Sequence, residues 1–191
     1  MSGLWWVRHG PTHQTVFTGW RDVPADLSDG AALARLDARL PRGALLVSSD
    51  LARAVATADA LDRGRTRLAH EPGLREFHFG DWEGLHFDEV ARGWPELSRR
   101  YWEAPGDIGP PGGESWNAAA ARVTGAVAAL LHAHPGRDIV LVAHLGAILT
   151  QVQAASGRTP ASVLSEPVAP LSLSRIAPGP PQRVLSINER A

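Results

Sequence analysis

Two arginines and two histidines in this chain stand directly after, or one turn beyond, three short apolar runs. Leu4 to Val7 leads into Arg8, His9 and Gly10; Ala44 to Val47 leads through Ser48, Ser49 and Asp50 to Arg53; Ile139 to Ala143 leads into His144. A guanidinium presents a planar fork of donors that matches phosphate oxygens, and two forks from different directions can hold a tetrahedral dianion. An imidazole with one unprotonated nitrogen is a nucleophile. If the three runs lie side by side, their ends build a phosphate pocket that contains such a nucleophile. Gly10 would then let the chain turn close to the bound phosphate.

Continuous apolar runs bounded by polar residues are the pattern of strands buried on both faces of a mainly parallel sheet. Helical spacing lies between them. Leu33, Leu36 and Leu40 follow Asp29 as a cap; Leu51, Val55, Ala58 and Leu61 follow Ser49 or Asp50; Trp116, Val123, Val127, Leu130 and Leu131 follow Ser115; Ile148 and Val152 follow His144. Strands alternating with helices predict an α/β layer fold, in which ligands bind beyond the carboxyl ends of the strands. Arg8, His9, Arg53 and His144 all fall at that edge. The helix after His144 adds free amides at its positive end, with the N–H of Leu145 as the named donor. Asp50 would oppose an anion there, so it is read as a cap or as the partner of an arginine.

Late in the chain, Leu171 to Ile176 and Val184 to Ile187 read as two further strands around the turn-rich APGPPQ stretch. Residues 74–114 are weakly periodic and rich in Gly, Pro and Trp, which predicts a long excursion with short helices over one end of the sheet.

A length of 191 residues with 44% hydrophobic content predicts one domain over residues 1–191. Lysine plus arginine (19) nearly balances aspartate plus glutamate (20), so no global field recruits a nucleic acid or an anionic bilayer. The absence of cysteine removes thiolate chemistry. No apolar run reaches membrane-spanning length and no basic segment precedes the first one, so the expectation is a cytoplasmic protein with no membrane partner. A homo-oligomer is left open.

His13, His78 and His86 fall in loops and could line the pocket, while His132 and His134 suit a helix C-terminus. None has the spacing of a metal-ligand set, and neither a metal nor a cofactor is expected. No G-x-S-x-G elbow exists, so Ser48, Ser49 and Ser115 are read as caps. The glycines at 106, 109, 112 and 113 follow no strand and read as a flexible loop. Trp20 and Trp82, in loops near the motifs, are candidate contacts for a leaving group.

The segments VRHGPT, SSDLARA, LREFHFGDWEG, PGGES and VAHLG occur in that order, and on them residues 4 to about 150 resemble the histidine phosphatase, or phosphoglycerate mutase-like, superfamily. The resemblance implies a three-layer αβα sandwich with a mainly parallel mixed sheet. It also implies a two-step reaction in which His9 attacks phosphorus, Glu76 protonates the departing oxygen, and water then hydrolyses the phosphohistidine. Arg8, Arg53 and His144 would hold the phosphoryl oxygens, in place of a metal. Resemblance alone selects Glu76 over Asp81, Glu83 and Glu114. Glu114 and Ser115, in PGGES, become substrate-binding candidates, together with Trp20. Thr15 stands where several members carry Asn, and Leu145 where they often carry Gly. The compact length and the motifs look like the phosphatase branch, nearest to the α-ribazole phosphatase group. The implied function is hydrolysis of a small phosphorylated metabolite, with α-ribazole 5′-phosphate as the suggested substrate; mutase-type transfer and a non-catalytic phospholigand-binding module are the alternatives.

Overall fold

A computed structural model describes residues 3–190; of the single unit read over 1–191, residues 1, 2 and 191 lie outside the described residues. The chain runs β1 (Leu4–Arg8), α1 (Gly30–Arg39), β2 (Leu45–Ser48), α2 (Ala52–Ala60), β3 (Thr66–Arg67), α3 (Phe87–Gly93), α4 (Pro95–Glu103), α5 (Trp116–Ala133), β4 (Ile139–Ala143), α6 (Leu145–Ser156), α7 (Pro160–Val163), β5 (Leu173–Ala177) and β6 (Arg183–Glu189).

Side-chain alternation along the strands decides the layers. Leu4 and Trp6 of β1, Leu45 and Val47 of β2, and Ile139, Leu141 and Ala143 of β4 join one core; Val7, Leu46, Val140 and Val142 join the other. Up to the polar residues Arg8 and Ser48 that end β1 and β2, these strands are therefore apolar throughout, as burial on both faces requires. The first core is closed by α5 and α6 through Trp116, Ala119, Val123, Ile148 and Val152. Leu33 and Leu36 of α1 and Ala54 and Ala58 of α2 close the second. The result is the expected αβα sandwich.

Sheet order is β3-β2-β4-β1-β5-β6, with β3, β2, β4 and β1 mutually parallel and β5 antiparallel to both of its neighbours, β1 and β6. In the pairing, Arg8 lies opposite Ala143 and Ser48 opposite Val142. The three strands thus end level with one another, which is what brings their polar successors to one edge.

Local chemistry departs from expectation in several places. Asp29 caps α1 by accepting from Ala32 N, and Ser115 caps α5 by accepting from Ala118 N. At α2, by contrast, neither Ser49 nor Asp50 is the cap: Leu51 occupies that position, and the amide of Ala52 is bound at 2.7 Å by Asp22, thirty residues upstream. Ser48 caps nothing; it is buried and its Oγ accepts from Arg67 at 2.8 Å. The fifth strand starts two residues later than its apolar run because Leu171 has φ 58, a left-handed turn in which its N–H bonds to Arg8 O at 3.0 Å. The PGGES end of the glycine loop is closely packed against the segment around Gly80. A Cβ on Gly80 would lie 2.1 Å from Pro111 O and one on Gly113 2.5 Å from His78 O, so two backbones meet there without room for a side chain. Among the described residues no helix is long and apolar enough to cross a membrane.

Candidate active site

His9 continues the last rung of the sheet: its amide donates to Ala143 O at 3.0 Å. Its ring is buried, with Nδ1 2.7 Å from Gly10 O. Burial, reinforced by the charge of Arg53, pushes the His9 imidazolium down to about 3, although the Gly10 carbonyl opposes the shift. His144 follows β4 in the same way and is fully buried, its ring centroid 5.0 Å from that of His9. Neither of its ring nitrogens has a hydrogen-bond partner, and burial holds it neutral too. The site therefore holds two uncharged imidazoles from adjacent strands.

Around them sit two guanidiniums that bond to backbone carbonyls and form no salt bridge among the described residues. Arg8 donates to Val168 O at 2.5 Å and its Nε is buried without a partner. Arg53, on the first turn of α2 and only 2% exposed, donates to Gly19 O at 2.6 Å and Arg21 O at 2.9 Å. Burial lowers both from the ordinary arginine value, with the Glu76 charge pulling the other way. A buried cation held only by neutral acceptors lacks its counter-charge, and an anion supplies it. The structure also tethers the histidine loop to this arginine. Gly10 N donates to Thr57 Oγ1 at 3.0 Å, and that hydroxyl donates to Arg53 O at 2.7 Å. Space at Gly10 is taken by the protein itself, since a Cβ there would lie 2.6 Å from Leu27 and 3.0 Å from Asp26 O. The absence of a side chain at Gly10 thus lets this loop pack directly against the Asp26–Leu27 segment.

Glu76 enters from the excursion. Its carboxylate accepts from Phe77 N at 3.0 Å and from Gly146 N at 3.2 Å. The first turn of α6 thus holds a protein carboxylate through its second residue, while Leu145 borders the adjoining cleft. The Glu76 main chain is fixed as well: its carbonyl accepts from Trp20 Nε1 at 2.7 Å and from Arg122 at 3.1 Å. Arg122 in turn grips both oxygens of Glu114, at 2.8 and 2.7 Å, and the carbonyls of Gly73 and Arg75.

A cleft of about 770 Å³ opens over these groups, lined by Arg8, His9, Arg53, Glu76 and Leu145 and walled by Phe79, Phe87 and Trp102. Several sequence candidates lie elsewhere. Thr15 is exposed and outside the lining, which uses Thr12, Gln14 and Thr18 instead. Trp20 stacks under the Arg75 guanidinium, 4.7 Å away, behind Glu76 and outside the lining. Trp82 is completely buried against Phe17 and Tyr101. Glu114 binds His78 N and Arg122, and Ser115 is the α5 cap. His13 pairs with Asp26, His86 caps α3 and His78 packs on Trp20; none of the three lines the cleft. Asp50 is the partner of an arginine, Arg75, at 2.7 and 2.5 Å, and does not line the cleft. Arg122 was missed, although it is the one charged Asp, Glu, Lys or Arg side chain in the alanine-rich α5 and so stands out in the sequence. No cluster of metal-ligating side chains exists among the described residues.

Residues 4–189 match the family described as the histidine phosphatase superfamily, branch 1. The chain belongs to that family. A 2,3-bisphosphoglycerate-dependent phosphoglycerate mutase of Brucella ovis is 30% identical over 174 residues, 84% of each protein. A mycobacterial glucosyl-3-phosphoglycerate phosphatase, solved in complex with VO3, superposes with a TM-score of 0.85 at 30% identity, covering 99% of this chain and 100% of that one. The α-ribazole phosphatase of Shigella flexneri superposes at 0.78 with 25% identity, covering 99% and 97%. This histidine phosphatase is thus similar over nearly its whole length to enzymes named for different phosphorylated substrates.

Proposed function

We propose that this histidine phosphatase is a phosphoric monoester hydrolase that works without a metal, through a phosphohistidine at His9, on a small phosphorylated metabolite. The observation that carries the reading is a neutral, buried His9 beside two guanidiniums, the half-buried Arg8 and the buried Arg53, whose hydrogen-bond partners are backbone carbonyls. The Gly10 carbonyl accepts the Nδ1 proton, which leaves the Nε2 lone pair as nucleophile. Nε2 attacks phosphorus in line, the bond from phosphorus to the alcohol oxygen breaks, and Glu76 gives that oxygen a proton. Water then attacks the phosphohistidine, Glu76 takes its proton, and His9 and inorganic phosphate are released. Arg8, Arg53 and the neutral ring of His144 hold the phosphoryl oxygens as charge redistributes.

The named candidate substrate is α-ribazole 5′-phosphate, and the setting proposed for it is a single cytoplasmic domain over residues 1–191. Mutase-type transfer is the second reading, favoured by the 30% identity to the Brucella ovis protein. The purified protein should release phosphate from p-nitrophenyl phosphate at the same rate with and without EDTA, and should hydrolyse α-ribazole 5′-phosphate. Loss of activity in EDTA refutes the metal-free mechanism. Faster interconversion of phosphoglycerates with 2,3-bisphosphoglycerate than hydrolysis of any monoester overturns the hydrolase reading in favour of the mutase. A protein that binds phosphate yet turns over none of these compounds is a binding module.

A further inference from the structure

We infer that the alcohol part of the substrate carries an apolar, ring-sized body, housed in a second chamber that adjoins the cleft at Glu76. The inference rests on the hydrolase reading only for where the phosphoryl group sits. This chamber, of about 460 Å³, is walled by Phe77, Tyr101, Trp116, Leu149 and Leu164. Glu76, Phe79, Trp102 and Leu145 border both it and the cleft, so the two spaces are neighbours with a common wall that includes the carboxylate assigned to the leaving oxygen.

Charge decides what the chamber accepts. Glu76 is the one charged side chain in its wall, and in the cleft the arginines are Arg8 and Arg53, both taken by the phosphoryl oxygens in the proposed reaction. The nearby cations are engaged: Arg75 with Asp50, Arg122 with Glu114. A leaving group bearing a carboxylate, as phosphoglycerate does, would meet aromatic rings there without a counter-charge. An apolar body meets complementary surface instead. Phe87 and Trp102, 51% and 42% exposed, add uncovered aromatic area in the cleft wall that such a body would shield from water.

The test compares esters and ligands whose leaving oxygens are equally basic, so that reactivity does not mask recognition. Calorimetric titration should show 3-phenylpropylphosphonate binding about tenfold or more tightly than propylphosphonate. 3-Phenylpropyl phosphate should exceed propyl phosphate in kcat/KM by a similar factor, mainly through KM. Leu164→Arg, which puts a cation in the chamber wall away from His9, should remove the preference and leave affinity for inorganic phosphate unchanged. Trp102→Ala, at an exposed position, should reduce the preference even if L164R fails to fold. Equal binding of the two phosphonates overturns the inference, as does a kcat/KM for 3-phosphoglycerate above that for 3-phenylpropyl phosphate. Phosphonate binding needs no turnover, so a protein that discriminates the phosphonates but hydrolyses no ester supports the chamber while refuting the hydrolase reading.

Discussion

The Nδ1 atom of His9 stands 2.7 Å from the carbonyl oxygen of its own neighbour, Gly10. A carbonyl only accepts, so this contact assigns the ring proton to Nδ1 and frees Nε2. Burial and the Arg53 charge keep the ring neutral down to about pH 3. Imidazole NMR at pH 5 should find His9 as the neutral Nδ1–H tautomer. An imidazolium spectrum at that pH would contradict the arrangement.

The same shift has a sign in stability. His9 titrates near 3 in the fold and close to 6.5 when unfolded, and His144 is displaced in the same direction. Between those values the unfolded chain binds protons that the native one refuses, so stability is full above about pH 6.5 and declines as pH falls toward 3. Thermal melts followed by circular dichroism should therefore drop between pH 7 and pH 4. In His9→Asn the drop should be shallower; an unchanged slope would argue against the burial of a neutral ring.

Replacing the nucleophile separates chemistry from folding. His9→Ala should lower phosphatase activity by roughly 10³-fold or more while keeping a cooperative melt. In the wild-type protein, quenching during turnover should trap acid-labile, alkali-stable phosphate on His9. Full turnover by the variant would sink the mechanism.

Gly146 is a steric gate on Glu76. A Cβ at this position would lie 2.4 Å from Glu76 Oε1 and 2.9 Å from the Phe77 ring, so Gly146→Ala must displace the carboxylate or the first turn of α6. The expected result is a fall in kcat of roughly 10²-fold, the scale of a misplaced reacting group, with little change in inorganic phosphate inhibition. A kcat within twofold of wild type would show that Glu76 tolerates the shift.

Arg122 ties three carbonyls and the Glu114 carboxylate into the support of Glu76. Arg122→Met strands those acceptors, and chemical denaturation should show a loss of about 1–3 kcal/mol. Glu114→Gln, which keeps the arginine and its carbonyl bonds, should cost less. If Arg122→Met is the milder of the two, the carbonyls are not what the arginine stabilises.

Legibility in the sequence followed the range of the forces involved. His9, Arg53 and His144 could be placed because a strand covered on both faces writes itself as a continuous apolar run, and each residue lies within six positions of the end of such a run. Neighbourhood in sequence was a poor guide elsewhere. Thr15, Glu114, Ser115 and Trp20 lie close to motifs along the chain yet face solvent, a helix end or the back of Glu76. Partners set by tertiary packing could not be named from the sequence: Asp22 for the amide of Ala52, Arg75 for Asp50, and the Glu76 carbonyl for Arg122. The two-residue β3 and four-residue α7 are too short for periodicity to register.

Pairing Arg8 with Ala143 makes His9 and His144 successive members of neighbouring parallel strands, and their ring centroids are 5.0 Å apart. Parallel strands run about 4.8 Å apart wherever they occur. The separation of the two rings is therefore close to the gauge of the sheet, a length dictated by backbone hydrogen bonding and indifferent to loop sequence. Phe77, Phe79, Tyr101, Trp102 and Leu164, which wall the chamber beside Glu76, lie off the sheet and are not bound to that gauge. The distance between the two imidazoles belongs to the backbone of the sheet, and the shape of the chamber to side chains of the excursion that also delivers Glu76.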